Sequence, residues 1–271
     1  MIDISQIDFS NLDRPEVLTS LFHPRPERKG TYPESDTVKD ILIPVEEGVL
    51  IGARFHVTGK ITPNLLFFHG NGEIVADYDD LGPLYNGLPM NFLPVDYRGY
   101  GRSSGEPTAT GMIQDAHVIF DFVKRWLHIH GFSGPMIVMG RSLGSASALE
   151  IALHYSDQIG GLIIESGFAH VVPLLNLLGV NAEQLGIREE DGFRNLDKIS
   201  GFVKPTLIIH AEMDHIIPLS EGRALYEACQ SGNKKLLEIR GANHNDILYR
   251  GLSEYLNEIR TFANEIEIKR R

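Results

Sequence analysis

One cysteine, Cys229, stands in the 271 residues, so no internal disulfide can close and a reducing compartment is expected. Paired-cysteine and His-Glu-x-x-His patterns are missing too, so no metal or organic cofactor is implied. Nowhere does the chain run for about 18 uninterrupted apolar residues, the length a helix needs to span a bilayer. The first residues, Met-Ile-Asp-Ile-Ser-Gln-Ile-Asp-Phe, lack the positive region and apolar core of a secretory signal. These absences give the expectation of a cytoplasmic protein with no integral membrane segment. Positive charge is also short: 25 Lys and Arg against 36 Asp and Glu leave a formal charge of −11. Such a surface does not suit nucleic acid, which is bound by clustered Lys and Arg.

What remains is ordinary for a globular domain: 42% hydrophobic and 23% charged residues, at a length that buries one good α/β core. The first 36 residues, rich in Pro and charge, read as an arm lying on a domain that spans 37–271. Short apolar β-like runs follow at Asp40–Pro44, Val49–Val57, Leu65–His69, Phe92–Asp96, Met136–Met139, Leu162–Glu165, Thr206–His210 and Leu236–Ile239. The first two form an antiparallel hairpin. From the third onward, helix-length segments intervene at about 73–87, 110–130, 143–155, 218–230 and 247–264. Continuous Ile/Leu/Val/Phe strands alternating with helices predict an eight-stranded, mostly parallel sheet with helices on both faces.

The rhythm breaks between Glu165 and Pro205. A lid-like insertion is expected at about 169–200, and its apolar stretch 171–180 offers Leu174, Leu175 and Leu178 as a substrate wall. The bland alternative is an extra packing helix. Cys229, in Leu-Tyr-Glu-Ala-Cys, reads as a buried structural thiol. The Lys-Arg-Arg end at 269–271 reads as a solvated tail.

Gly140-Arg141-Ser142-Leu143-Gly144 lies between a strand-like run and a helix-like run, and it fits Gly-x-Ser-x-Gly. A serine on so sharp a turn needs small neighbours, because the backbone doubles back on itself. Its hydroxyl needs a base, and the base needs an orienting acid. Asp214 follows the strand at 206–210, and His244 follows the strand at 236–239. The rivals are placed less well. His210 and His215 precede the last strand, and Asp246 stands so close to His244 that it reads as the N-cap of the final helix. Glu212 is the rival acid. An oxyanion would be held by the backbone N–H of Leu143 and that of Asn71, freed by Gly70 and Gly72 in Phe-His-Gly-Asn-Gly. His69 reads as support beneath that loop.

These blocks, together with Asp96-Tyr-Arg-Gly-Tyr-Gly-Arg-Ser-Ser-Gly-Glu-Pro and Gly-Ala-Asn-His-Asn-Asp-Ile, resemble the α/β-hydrolase superfamily over about residues 38–268. Leu225-Tyr-Glu-Ala-Cys followed by Gly-Ala-Asn-His-Asn-Asp-Ile-Leu-Tyr is similar to its lid-poor branch. That branch holds depalmitoylase-type proteins and bacterial relatives. The resemblance implies Ser142 as nucleophile, Asp214 as acid, His244 as base, Asn71 and Leu143 as oxyanion donors, and Asp96–Pro107 as a shaping loop. The membrane-targeting members carry an N-terminal cysteine cluster, and the arm here contains no cysteine. Ala211 stands where glycine is common. Glu165, at the turn after the sixth strand, either caps that turn or faces the pocket.

The expected activity is a serine hydrolase of carboxylic esters or thioesters, acting on a small-molecule or acyl substrate through an acyl-enzyme. A peptidase or amidase on the same fold is the alternative within the chemistry. A non-catalytic binding protein on a hydrolase fold is the alternative outside it. A dehalogenase is excluded, because it needs a carboxylate where Ser142 stands.

Overall fold

The computed structural model describes residues 2–28 and 35–270, without the side chains of 269 and 270. The basic end expected at 269–271 therefore falls outside the described side chains, as do residues 29–34 of the arm. An eight-stranded sheet is built from β1 (Val38–Glu46), β2 (Val49–His56), β3 (Asn64–Phe68), β4 (Asn91–Val95), β5 (Met136–Arg141), β6 (Gly161–Glu165), β7 (Thr206–Ala211) and β8 (Lys234–Ile239). The order across the sheet is β1-β2-β4-β3-β5-β6-β7-β8. β2 runs antiparallel to β1 and β4, and the pairs from β4 to β8 are parallel. The mostly parallel sheet expected from the sequence is therefore present.

Alternation across the strands explains why they read as unbroken apolar runs. Leu66, Phe68, Val138, Ile164 and Ile208 point into one core, while Leu65, Phe67, Ile137, Ile163 and Ile209 point into the other. Each such side chain contributes about 1.5–3 kcal/mol through burial.

The helices are α1 (Pro15–Leu21), α2 (Gly82–Asn86), α3 (Ala109–Ile129), α4 (Gly144–His154), α5 (Val171–Leu177), α6 (Asn195–Ser200), α7 (Leu219–Ala228) and α8 (Ile247–Arg270). α3 starts at Thr108, whose side chain accepts the Gly111 N–H at 2.9 Å, and it buries Met112, Ala116, Ile119, Phe120 and Val123 along one stripe. The helix expected over 73–87 is instead a 3-10 turn at Val75–Tyr78 followed by the short α2. Pro83 has no N–H to continue the first turn, so a new helix starts at Gly82-Pro83. Cys229 is 1% exposed in the larger core, which fits its reading as a structural thiol. No helix among the described residues is long and apolar enough to cross a membrane.

The arm is docked by specific contacts. Leu12, Val17, Leu21 and Phe22 are buried in the larger core, and Asp13 Oδ1 accepts the Ala109 and Thr110 N–H groups that begin α3, at 2.6 and 3.2 Å. The insertion is also built in. Glu189 accepts the Val171 and Val172 N–H groups, both at 2.9 Å, which caps α5 from its own distal turn.

Candidate active site

The parallel register sets the site. Phe68 pairs with Gly140, Gly140 with Ile164, Glu165 with Ile209, and Ala211 with Ile239. β3, β5, β6, β7 and β8 thus end at one sheet edge. The chain order reverses at β3, so the loops after β3 and β5 part company there and leave a crevice.

Ser142 sits between β5 and α4 with φ of 52°, a left-handed conformation that side chains rarely adopt. Close approach explains its glycines. A Cβ on Gly140 would collide with the Gly144 carbonyl, and one on Gly144 with the Phe68 carbonyl. The strain at Ser142 is held by neighbours: its N–H donates to Glu165 O at 2.9 Å, and its carbonyl accepts Ser145 Oγ at 2.6 Å.

Ser142, Asp214 and His244, far apart in the chain, meet at this edge. His244 Nδ1 lies 2.7 Å from Asp214 Oδ2, and its Nε2 lies 3.1 Å from Ser142 Oγ. A proton on Nδ1 is donated to the carboxylate, which leaves the Nε2 lone pair to accept the serine hydroxyl. Asp214 Oδ1 accepts the Ile216 and Ile217 N–H groups at 2.9 and 2.8 Å. Burial pushes the Asp214 carboxyl up, but the His244 contact and these two amides outweigh it and hold the group below its ordinary value.

The rivals make other hydrogen bonds or face solvent. His210 is fully buried, and its Nε2–H donates to Ile217 O at 2.8 Å. Glu212 accepts the Gly241 N–H at 2.8 Å, so it anchors the histidine loop without touching the imidazole. His215 is exposed. Asp246 stands at the start of α8 but turns back, accepting Asn243 N–H at 2.6 Å and the Arg250 guanidinium.

Asn71 and Leu143 both line the cavity that holds Ser142. Among the described residues, neither backbone N–H has a protein acceptor. The loop after β3 is fixed from both sides. Gly70 N–H donates to Glu73 Oε2 at 2.7 Å, while Tyr97 OH donates to His69 O at 2.6 Å. His69 lies beneath, its Nδ1 2.8 Å from Gly70 O and its Nε2 3.3 Å from Asp96 Oδ1. Asp96 and Tyr97 belong to the block 96–107 and hold His69 in place.

Several residues of the site escaped the sequence. His23 N–H donates to Asn71 Oδ1 at 2.8 Å, its Nδ1 lies 2.7 Å from Asn71 Nδ2, and Arg25 Nε donates to Gly72 O at 2.7 Å. The arm thereby grips the loop after β3. Arg141 pairs with Glu73, donates from Nε to Glu165 Oε1 at 3.0 Å, and donates from Nη2 to His244 O at 2.7 Å. One guanidinium thus joins the loops that carry Gly70, Ser142 and His244. Its charge and the Tyr78 and Gly70 hydrogen bonds hold Glu73 below the usual carboxylate range, against the opposing effect of burial. Glu165 accepts Tyr255 OH at 2.6 Å as well, so it neither caps the turn nor faces the cavity. The signal available was an arginine inside Gly-x-Ser-x-Gly with a glutamate ending the next strand, which the β5–β6 register sets side by side.

The cavity that holds Ser142 has a volume of about 310 Å³. Leu174 and Leu178 line it, together with Leu21 and Ile216. Leu175 does not: it is fully buried in the core. Val171 and Leu175, four apart, face inward, while Leu174 lies about 100° round the helix from Leu175 and Leu178 stands just past the helix end. A larger hollow of about 620 Å³ opens at the opposite ends of the strands, near Asn64, Met136, Gly160 and Pro205, and contains no part of the triad.

A hydrolase family profile described as serine aminopeptidase, S33, matches residues 59–185. The human α/β-hydrolase domain-containing protein 17B is 30% identical over 247 residues, covering 86% of this chain and 77% of its own. The 17B protein of Xenopus laevis is 32% identical over 242 residues, covering 85% and 76%. Among solved structures, an esterase from Pyrococcus furiosus superposes with a TM-score of 0.71 at 17% identity, covering 90% of this chain and 99% of that one.

Proposed function

The chain belongs to the α/β-hydrolase family of the domain-containing 17 proteins and is a serine hydrolase, and from that premise we propose that it cleaves carboxylic esters or thioesters through an acyl-enzyme on Ser142. The observation that carries this reading is the continuous chain Ser142 Oγ, His244, Asp214, at 3.1 and 2.7 Å. His244 Nε2 takes the hydroxyl proton as Oγ bonds to the acyl carbon. The Asp214 carboxylate balances the imidazolium formed and keeps the ring oriented. The carbonyl oxygen becomes an oxyanion facing the Asn71 and Leu143 amides, beside the N-terminus of α4, where the helix dipole also favours negative charge. When the intermediate collapses, the alcohol or thiol leaves with the proton from Nε2. Water, deprotonated by the same nitrogen, attacks the acyl carbon and releases the acid.

The cavity argues for esters over an aminopeptidase substrate. An amino terminus needs a free carboxylate, and the only acidic residue of the lining among the described residues, Glu73, is bound to Arg141, Tyr78 and Gly70. Leu21, Leu174, Leu178 and Ile216 instead offer an apolar wall. At about 310 Å³ the space stands at the lower end of ligand pockets, roughly 300–1,000 Å³, which favours short or medium p-nitrophenyl esters over charged substrates. In this reading residues 37–271 form the hydrolase domain, the insertion at about 169–200 supplies part of the cavity wall, and the arm adds Leu21 and His23 to it. A fluorophosphonate probe tests it. Labelling at Ser142, lost in Ser142→Ala along with ester hydrolysis, is the expected result. A folded protein that neither labels nor hydrolyses is a binding protein, and this reading fails.

A further inference from the structure

We propose that a second cavity beside the catalytic one is a subsite for the uncharged aliphatic chain of the ester or thioester, an inference that rests on the acyl-transfer reading above. This cavity has a volume of about 330 Å³ and lies between the start of the insertion and the loop after Asp214. Leu174 and Ile216 line both hollows, so these two side chains form the partition between them. Ile216 is held in place, because its N–H donates to Asp214 Oδ1 at 2.9 Å. Leu174 stands at the edge of the core, 9% exposed.

The lining selects the ligand. Phe168, Pro173, Leu177 and Ile217 give it apolar walls. Among the described residues of its lining the ionisable ones, His170 and Glu221, face each other, with Nδ1 3.1 Å from Oε1. Glu221 Oε2 is further occupied by the Ala169 and His170 N–H groups, at 2.9 and 2.8 Å. That carboxylate is consumed in holding the approach to α5, and no free charge is left to recruit an ionic headgroup. Methylene groups are what the surface can take, and the site opens outward at the exposed Leu177 and Ser220. Each methylene buried there is worth about 0.8 kcal/mol, or roughly fourfold in kcat/KM.

The chain lies on either side of the scissile bond, and two substrate series separate these cases. One is p-nitrophenyl esters from acetyl to dodecanoyl, and the other is alkyl acetates from ethyl to octyl. Leu177→Trp and Ser220→Trp, both at the outer rim, fill the cavity without altering the core. The expected result is that both variants lower the ratio of kcat/KM for the long over the short substrate by at least about tenfold in one series. Loss in the first series assigns the cavity to the acyl chain, and loss in the second to the alcohol. Leu174→Ala, which thins the partition, shifts the same ratio upward. Unchanged ratios in both series, in variants whose circular dichroism matches the parent, overturn the subsite alone. A parent protein that neither labels at Ser142 nor hydrolyses the acetyl ester overturns the acyl-transfer reading and this inference with it.

Discussion

At the residue scale the site separates the side chains linked to Ser142 from those that hold the loops. Asp214 and Glu212 stand two apart at the end of β7, yet only Asp214 reaches the imidazole, while Glu212 is turned to Gly241. Asp214→Asn is therefore expected to lower kcat by on the order of 10⁴, because an amide cannot hold the tautomer that leaves Nε2 free. Glu212→Gln is expected to stay within about tenfold of the parent in the same ester assay, and the reverse ranking would reassign the acid. Ser142, Asp214 and His244 were legible because each stands just after a strand and their order along the chain suits a parallel sheet. Arg141 was not legible in the same way. Its partners Glu73 and Glu165 lie 68 and 24 positions away, and only the sheet register brings them within reach. Removing Arg141 takes the shared cation from two buried carboxylates, at about 3–5 kcal/mol, whereas losing one glutamate leaves the guanidinium its other partner.

At the element scale, α5 shows how one short helix serves two surfaces. Leu175 is fully buried and Leu178 lines the catalytic cavity, although they are three residues apart. Leu175→Ala is expected to destabilise the protein by about 2–5 kcal/mol in urea unfolding and to leave the ester chain-length profile in place. Leu178→Ala is expected to do the opposite, changing the profile with little shift in the midpoint. Sequence periodicity gave the apolar character of 171–180, but seven helical residues are too few to tell a buried face from a cavity face. The arm was underread for a related reason. Its Pro-rich, charged composition concealed α1, where Pro15 fits the first turn and Val17 and Leu21 are spaced four apart toward the core. The expected helix over 73–87 failed at Gly82-Pro83, a break visible in the sequence but outweighed there by segment length.

At the scale of the whole molecule, buried ionisable groups make stability depend on pH. Glu150 is tied to His117 at 2.9 Å, Lys198 at 2.7 Å and His154 at 3.2 Å. Burial raises its carboxyl, but these partners outweigh burial and bring it down to about 2 from 4.5. A carboxyl lowered on folding adds stability above its unfolded value, and that contribution is lost as pH falls from 4.5 toward 2. His56 and His210 are pushed below 6.5 by burial, so the unfolded chain takes up their protons first and stability also falls as pH drops through 6.5. The urea midpoint is thus expected to decline below pH 6.5 and again below 4.5, with Glu150→Gln reducing the second decline. A midpoint that rises on acidification would contradict both assignments.

The docking of the arm has its own consequence. Residues 2–28 bury Leu12, Val17, Leu21 and Phe22 and reach Asn71 through His23, so they constitute a ligand in all but covalent connection. A synthetic peptide of that stretch, added to a chain that starts at residue 35, has a ready-made berth. Enzymatic competence in such a split protein becomes a titratable quantity, set by peptide concentration.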